Sequence, residues 1–229
     1  LLWIGETVSG AGTAMAAAGV PLLAVTVLHA STFAVAALTA AAYLPWLVIG
    51  LPAGAWVDRL RVRPLMIACD GVSALLYASL PAAAWAGMLG TVQVVAVALL
   101  AGAANVLFAT AYQVFLPALV RADELMEGNA KLQASASVAA IGGRGAAGLA
   151  AEAVGAASAL LFNAVSFGVS AACLLRIRTD AVPHGPGGRA TTVRAEISGA
   201  ARFIAGDPYL RALTIYGTIA NLAYTGSTA

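Results

Sequence analysis

Apolar residues do not alternate with polar ones along most of this chain; they run on unbroken. Seven stretches are each long and apolar enough to cross about 30 Å of hydrocarbon as a helix, over roughly 2–28, 32–56, 64–86, 91–116, 133–152, 156–176 and 208–229. Turn signals separate them: LHAST after the first, WAGMLGT after the third and AVGAAS after the fifth. The fifth is the least apolar, because IGGRGAAGLAAEAVG is rich in glycine and carries charge.

Residues 177–206 have a different texture. TDAVPHGPGGRATT reads as a Pro/Gly-rich linker, too polar and broken to span. After it, Val193, Ile197, Ala200, Ala201 and Ile204 recur at helical spacing, with Arg194, Glu196 and Arg202 elsewhere on the wheel. That pattern fits a short amphipathic helix at the membrane interface, or a solvated linker helix. The expected architecture is an all-α polytopic membrane protein. Residues 1–176 form a six-helix N-terminal bundle, 177–206 a cytoplasmic linker with an amphipathic helix, and 207–229 the first helix of a second bundle.

Composition supports a lipid setting. The 229 residues are 61% hydrophobic and 10% charged, with mean hydropathy +0.90; soluble domains carry about 25% charged residues. A large soluble core would need polar faces at helical period, and long stretches here have none. Net charge is only +2 and the arginines form no stripe, so no nucleic-acid partner is expected. Cys69 and Cys173 both fall in apolar runs without a CxxC pair, and are expected to be packing residues rather than metal ligands or a disulfide. The chain opens LLWIGETVSG without an initiator methionine and stops at YTGSTA, which reads as a piece of a longer protein.

The placement of the basic residues says more than their sum. Arg59, Arg61 and Arg63 follow the second stretch, Arg121 and Lys131 the fourth, and Arg176, Arg178, Arg189, Arg194 and Arg202 the sixth. The connections after the first, third and fifth contain no lysine or arginine. Basic loops stay on the cytoplasmic side, so this alternation predicts a multi-pass cell-membrane protein with a cytoplasmic N-terminus.

One basic hairpin carries a motif. Gly54-Ala-Trp-Val-Asp58-Arg59-Leu-Arg-Val-Arg63 resembles the loop between the second and third helices of the major facilitator superfamily, matching at Gly54, Asp58, Arg59 and Arg63. Arg61 stands where that family usually has glycine, and Val62 replaces one basic residue. The flanking YLPWLVIGLPAGAWVDR and FLPALVRADELMEGNAKLQAS are similar to the drug and siderophore exporter branch, which holds enterobactin and macrolide-efflux-like exporters. The resemblance covers essentially the whole chain. It implies a twelve-helix transporter of which this chain is the first half plus the seventh helix, acting as a monomer, without a cofactor. It implies too that the hairpin locks the cytoplasmic gate by pairing across the two halves. The plainer alternative is a topology signal with a surface ion pair, worth about 0–1 kcal/mol.

Ionisable groups in hydrocarbon cost at least about 2.5–3.5 kcal/mol on insertion scales, so each is a candidate site. Arg144 lies near the middle of the fifth stretch, where exporters of this superfamily carry Gly-Pro and paired glycines; here Gly143, Gly145 and Gly148 surround it and would permit close helix packing. The arginine can face a central cavity and bind an anion or a carboxylate, serve as a structural partner of an acid, or mark a break in the span. Asp70, about two turns into the third stretch, and Glu6, near the start of the first, are candidates to exchange a proton. Asp70 can equally be ion-paired with a hairpin arginine, and Glu6 can be solvated at the interface. Asn105 and Asn163 can hydrogen-bond a ligand or glue helices together. Before Gly102 the chain reads AVALLA, without the arginine that many family members carry there. RADELMEGNAKLQAS reads as a short loop in which Asp123, Glu124 and Glu127 precede Lys131, a charge order that suits the start of a helix, and it is expected to form the cytoplasmic entry to the fifth stretch.

These features predict a secondary transporter, a proton-coupled exporter of small amphipathic molecules such as drugs, macrolides or siderophores, rocking around a midplane site with the first, second, fourth and fifth helices lining it. Its partners would be a small-molecule substrate, protons and the bilayer. An uptake transporter of the same architecture is the alternative, and a seven-helix receptor a weaker one: the last stretch lacks a Schiff-base lysine and the charge bias places the N-terminus inside. No enzyme is expected, since HExxH, P-loop and Ser/His spacings are absent.

Overall fold

The computed structural model describes residues 1–29, 31–119, 125–177, 199, 202–203 and 205–228. Among them no strand occurs, and seven long helices follow one another. They are α1 (Leu2–Thr26), α2 (Thr32–Val57), α3 (Val62–Trp85), α4 (Thr91–Leu119), α5 (Leu125–Val154), α6 (Ala156–Arg176) and α7 (Pro208–Thr228). The chain is an all-α polytopic protein, divided into two compact units, Leu1–Pro186 and Gly187–Ala229. The linker and amphipathic helix expected over 177–206 lie almost wholly outside the described residues.

Local chemistry sets the helix ends. Ser31 caps α2 by accepting from the Ala34 N–H at 3.3 Å, and Asp207 caps α7 through its Oδ1, which accepts from Tyr209 and Leu210 at 2.8 and 3.3 Å. Pro208 at the first helical position loses nothing by lacking an N–H there. Gly155 separates α5 from α6 at φ +95°, a conformation a side chain would resist. Between α2 and α3 the turn closes on the Trp56 and Val57 carbonyls, and Arg61 sits at φ −74°, ψ 111°. Any residue adopts that geometry, so the turn does not require glycine at position 61.

Five helices are long and apolar enough to span a membrane: α1, the Phe33–Gly50 part of α2, α3, α4 and α6 over Ala157–Arg176. Two of the seven expected spans stand apart from these five. α5 and α7 form as helices, but among the described residues neither reaches that apolarity, α5 being diluted by Ser, Gln, Gly, Lys131 and Glu152 and α7 by Arg211, Thr and Tyr. α5 nevertheless packs along α1 and α6. It also begins earlier than expected, at Leu125, so much of RADELMEGNAKLQAS is helix rather than loop. At about 1.5 Å per residue its 30 residues reach about 45 Å, beyond the hydrocarbon thickness.

In the first unit neighbours run α5, α1, α6, α3, α4, α2. Two apolar clusters sit at opposite ends. One gathers Leu23, Leu38, Leu80, Val94, Val97 and Leu160; the other Val57, Val62, Met66, Ala111, Phe115 and Leu174. The first cluster takes the late residues of α1 and α3 and the early residues of α2, α4 and α6. The second takes the reverse, so successive helices run in opposite directions. Large apolar side chains such as Phe33, Leu47, Leu75, Val92 and Val165 are exposed on the outside, as lipid contact requires. Trp3 and Trp56 lie at one end and Trp85 at the other, all exposed, where interfacial tryptophans belong.

Candidate functional site

Between the two apolar clusters the interior turns polar. Gly5, Gly12 and Gly19, seven residues apart on α1, bring its backbone against α6. A Cβ on Gly5 would meet Cys173 at 3.3 Å, one on Gly12 would meet Ser166 and Asn163, and one on Gly19 would meet Ala159 at 3.0 Å. Seating that face of α1 on α6 turns Glu6, Ser9, Gly10 and Thr13 towards a cavity of about 450 Å³. α3 contributes Asp70 and Ser73 to it, α4 contributes Asn105, Phe108 and Tyr112, and α5 contributes Gln133, Ser135 and Ala140, with Phe167 of α6 behind.

α3 meets α6 along a row at seven-residue spacing. Arg63 donates to the carbonyls of Leu174 and Leu175, Met66 packs with Leu174, and Tyr77 stacks on Phe167 with centroids 5.9 Å apart. Asp70 stands in this row, 2% exposed, with its Oδ2 lacking any hydrogen-bond partner. Glu6 faces it from α1, within electrostatic range, and its Oε1 is likewise buried and unpartnered, as is the Tyr112 hydroxyl. Buried polar atoms are rarely left in this state. Such atoms make the cavity a candidate binding site. Among the described residues no lysine or arginine lines it, and no group of three or more His, Cys, Asp or Glu could hold a metal ion.

The sequence decides the family: a model of the Major Facilitator Superfamily matches residues 2–229. The chain belongs to the major facilitator superfamily. No curated protein and no solved structure matches it. As a major facilitator protein it is a multi-pass membrane transporter of small molecules, in a family that is not one of enzymes.

The major facilitator fold brings together three of the residues singled out in the sequence, Glu6, Asp70 and Asn105, at the cavity. Asn163 is elsewhere, fully buried in the α1–α6 contact beside Ser166, with its Nδ2 unpartnered. Arg144 follows four residues after the cavity-lining Ala140 on α5; its side chain is outside the described residues. Gly143 is buried against α1, where a Cβ would stand 2.7 Å from that of Ala14, whereas Gly145 and Gly148 have nothing within 4 Å. In the hairpin, Asp58 is exposed at the C-cap of α2 and Gly54 has open space beside it. Arg63 is committed to α6, not to Asp70, so the ion pair considered for Asp70 with this arginine does not form. Sequence reasoning passed over Tyr112, whose hydroxyl is hidden in an apolar run. It passed over the glycines of α1 as well, although their seven-residue spacing was there to read.

Proposed function

We propose that this major facilitator protein is a proton-coupled exporter of small amphipathic molecules, working by alternating access and acting as a monomer in the cell membrane with its N-terminus in the cytoplasm. Residues 1–176 are its N-terminal bundle, 177–206 the cytoplasmic linker and 207–229 the first helix of the second bundle. The observation that carries the reading is the cavity between two apolar clusters, in which Asp70 and Glu6, from two helices, each hold a buried oxygen without a partner. Ionising Asp70 leaves a charge that the Ser170 hydroxyl offsets only in part, and protonating it removes that charge.

A proton and a substrate then compete for one site. When the cavity opens outward, a proton from outside adds to a carboxylate and the substrate leaves. When it opens inward, the proton passes to the cytosol and the substrate takes its place. The hairpin carrying Gly54, Asp58, Arg59 and Arg63 closes the inner face. Outward direction is supported by the resemblance of the flanking segments to the drug and siderophore exporter branch.

The experiment is reconstitution of the full-length protein in vesicles, following labelled macrolide, siderophore and aromatic drug molecules with and without an imposed pH gradient. Accumulation driven by the gradient is expected. An equal rate with and without it removes proton coupling, and flux in the opposite sense makes the protein an uptake transporter.

A further inference from the structure

We infer that the hydrogen bond between Trp3 and Ser135 is a latch, holding α5 against α1 beside the mouth of the cavity at the hairpin end of the bundle. The inference goes beyond the transport reading and holds whatever the cargo or the coupling ion. Trp3 Nε1 donates to Ser135 Oγ at 3.1 Å, joining the first turn of α1 to α5. About 12 Å further along, the same two helices touch again. There a Cβ on Gly143 would stand 2.7 Å from that of Ala14, and Ala147 packs with Met15. Between these two ties both helices line the cavity, α1 with Thr7 and Gly10 and α5 with Ala136 and Ala140. Ser135 belongs to the lining too, so the acceptor of the bond is part of the cavity wall. Gln133 and Ala136 line the cavity while exposed, which places an opening beside the bond.

The two ties differ in kind. At Gly143 the backbone of α5 is buried against that of α1, with the Ala11 carbonyl 2.9 Å from where a Cβ would stand. At Ser135 the contact is a hydrogen bond between groups that water also reaches, Trp3 being 50% exposed. Water competes for both partners of such a bond, so its net worth is small and it opens readily. On α5 around it, Gln133, Ala134, Ala136 and Ser137 are exposed, and being small or polar they add little apolar grip. Tryptophan suits the part. Its ring anchors at the membrane surface, and its one N–H is a donor that can let go while the ring stays.

The test uses Cys69 and Cys173 as reporters in the full-length protein in lipid nanodiscs, labelled with N-ethylmaleimide and followed site by site by peptide mass spectrometry. Cys69 lines the cavity and is 6% exposed; Cys173 lies in the α1–α6 seam against Gly5 and does not line it. Trp3→Phe keeps a ring and removes the N–H, and Ser135→Ala removes the acceptor. Each should speed labelling of Cys69 about two- to tenfold and leave Cys173 unchanged. Ser135→Thr, which keeps a hydroxyl, should label at the wild-type rate. The double variant should be no faster than the faster single one, since both changes remove the same bond. A loosened bundle speeds both cysteines, so Cys173 separates opening from unfolding. The inference is overturned if neither single variant speeds Cys69, if Cys173 speeds in step with it, or if the double variant shows the product of the two single effects.

Discussion

Arg63, at the start of α3, donates its Nε to the Leu174 carbonyl at 3.0 Å and its Nη2 to the Leu175 carbonyl at 2.8 Å. The last carbonyls of a helix have no intrahelical partner and carry the negative end of its dipole, so a guanidinium satisfies both needs at once. The hairpin is thereby fastened to the end of α6.

Removing that clasp should cost stability. Arg63→Ala is expected to lower the thermal midpoint in detergent by the equivalent of about 1–3 kcal/mol. Arg63→Lys should recover only part, because an ammonium lacks the planar fork. Asp58→Asn, at an exposed position, should leave the midpoint within about 0.5 kcal/mol while slowing transport, if the hairpin gates. Equal transport in wild type and Asp58→Asn would remove Asp58 from the gate.

Glycines on one helix should respond in opposite directions. Gly143→Ala brings a methyl to 2.7 Å from the Ala14 Cβ and 2.9 Å from the Ala11 carbonyl, which should destabilise by about 1–3 kcal/mol. Gly145→Ala and Gly148→Ala meet nothing within 4 Å and should stabilise by up to about 1 kcal/mol through helix propensity. Thermal midpoints of the three variants decide it.

The two carboxyls should separate driven flux from exchange. Asp70→Asn is expected to abolish accumulation driven by a pH gradient while leaving substrate-for-substrate exchange measurable in vesicles. Beside Asp70 stand Glu6 from α1 and Cys69 on α3, the Ser170 hydroxyl hydrogen-bonds it from α6, and Tyr112 of α4 lies within electrostatic range of Glu6. Glu6→Gln should weaken driven accumulation without abolishing it. Full gradient-driven accumulation by Asp70→Asn would show that the proton binds elsewhere.

Threading can be read by thiol labelling. Met88, 80% exposed after α3, replaced by cysteine should react with an impermeant reagent from outside intact cells. Leu60→Cys in the hairpin, also exposed, should react only after the membrane is opened. The reverse pattern would invert the orientation.

Most helix boundaries were legible because lipid-length apolar runs and turn residues coincide. The sixth stretch, read as 156–176, is the helix Ala156–Arg176, and the seventh starts at Pro208 because Asp207 caps it. α5 was legible as a helix but not in its start: its first turns are polar, and hydropathy alone registers polar residues as loop. At the site, Glu6 and Asp70 could be found because charge in hydrocarbon is costly wherever it stands. Asn163 stayed open between ligand and helix glue because an amide's position on an apolar helix does not say which neighbour it faces. Only packing places it against Gly12, where no side chain intervenes. Arg63 needed packing too, since its acceptors lie more than a hundred residues away and are backbone atoms that no motif encodes.

The glycine seam of α1 also constrains movement. Where the bare backbone of α1 sits on small side chains of α6 such as Cys173, Ser166 and Ala159, few atoms lie between the two helices to absorb a slide of one past the other. α1 and α6 are therefore expected to move as one piece, carrying Glu6 together with the α6 terminus that Arg63 holds.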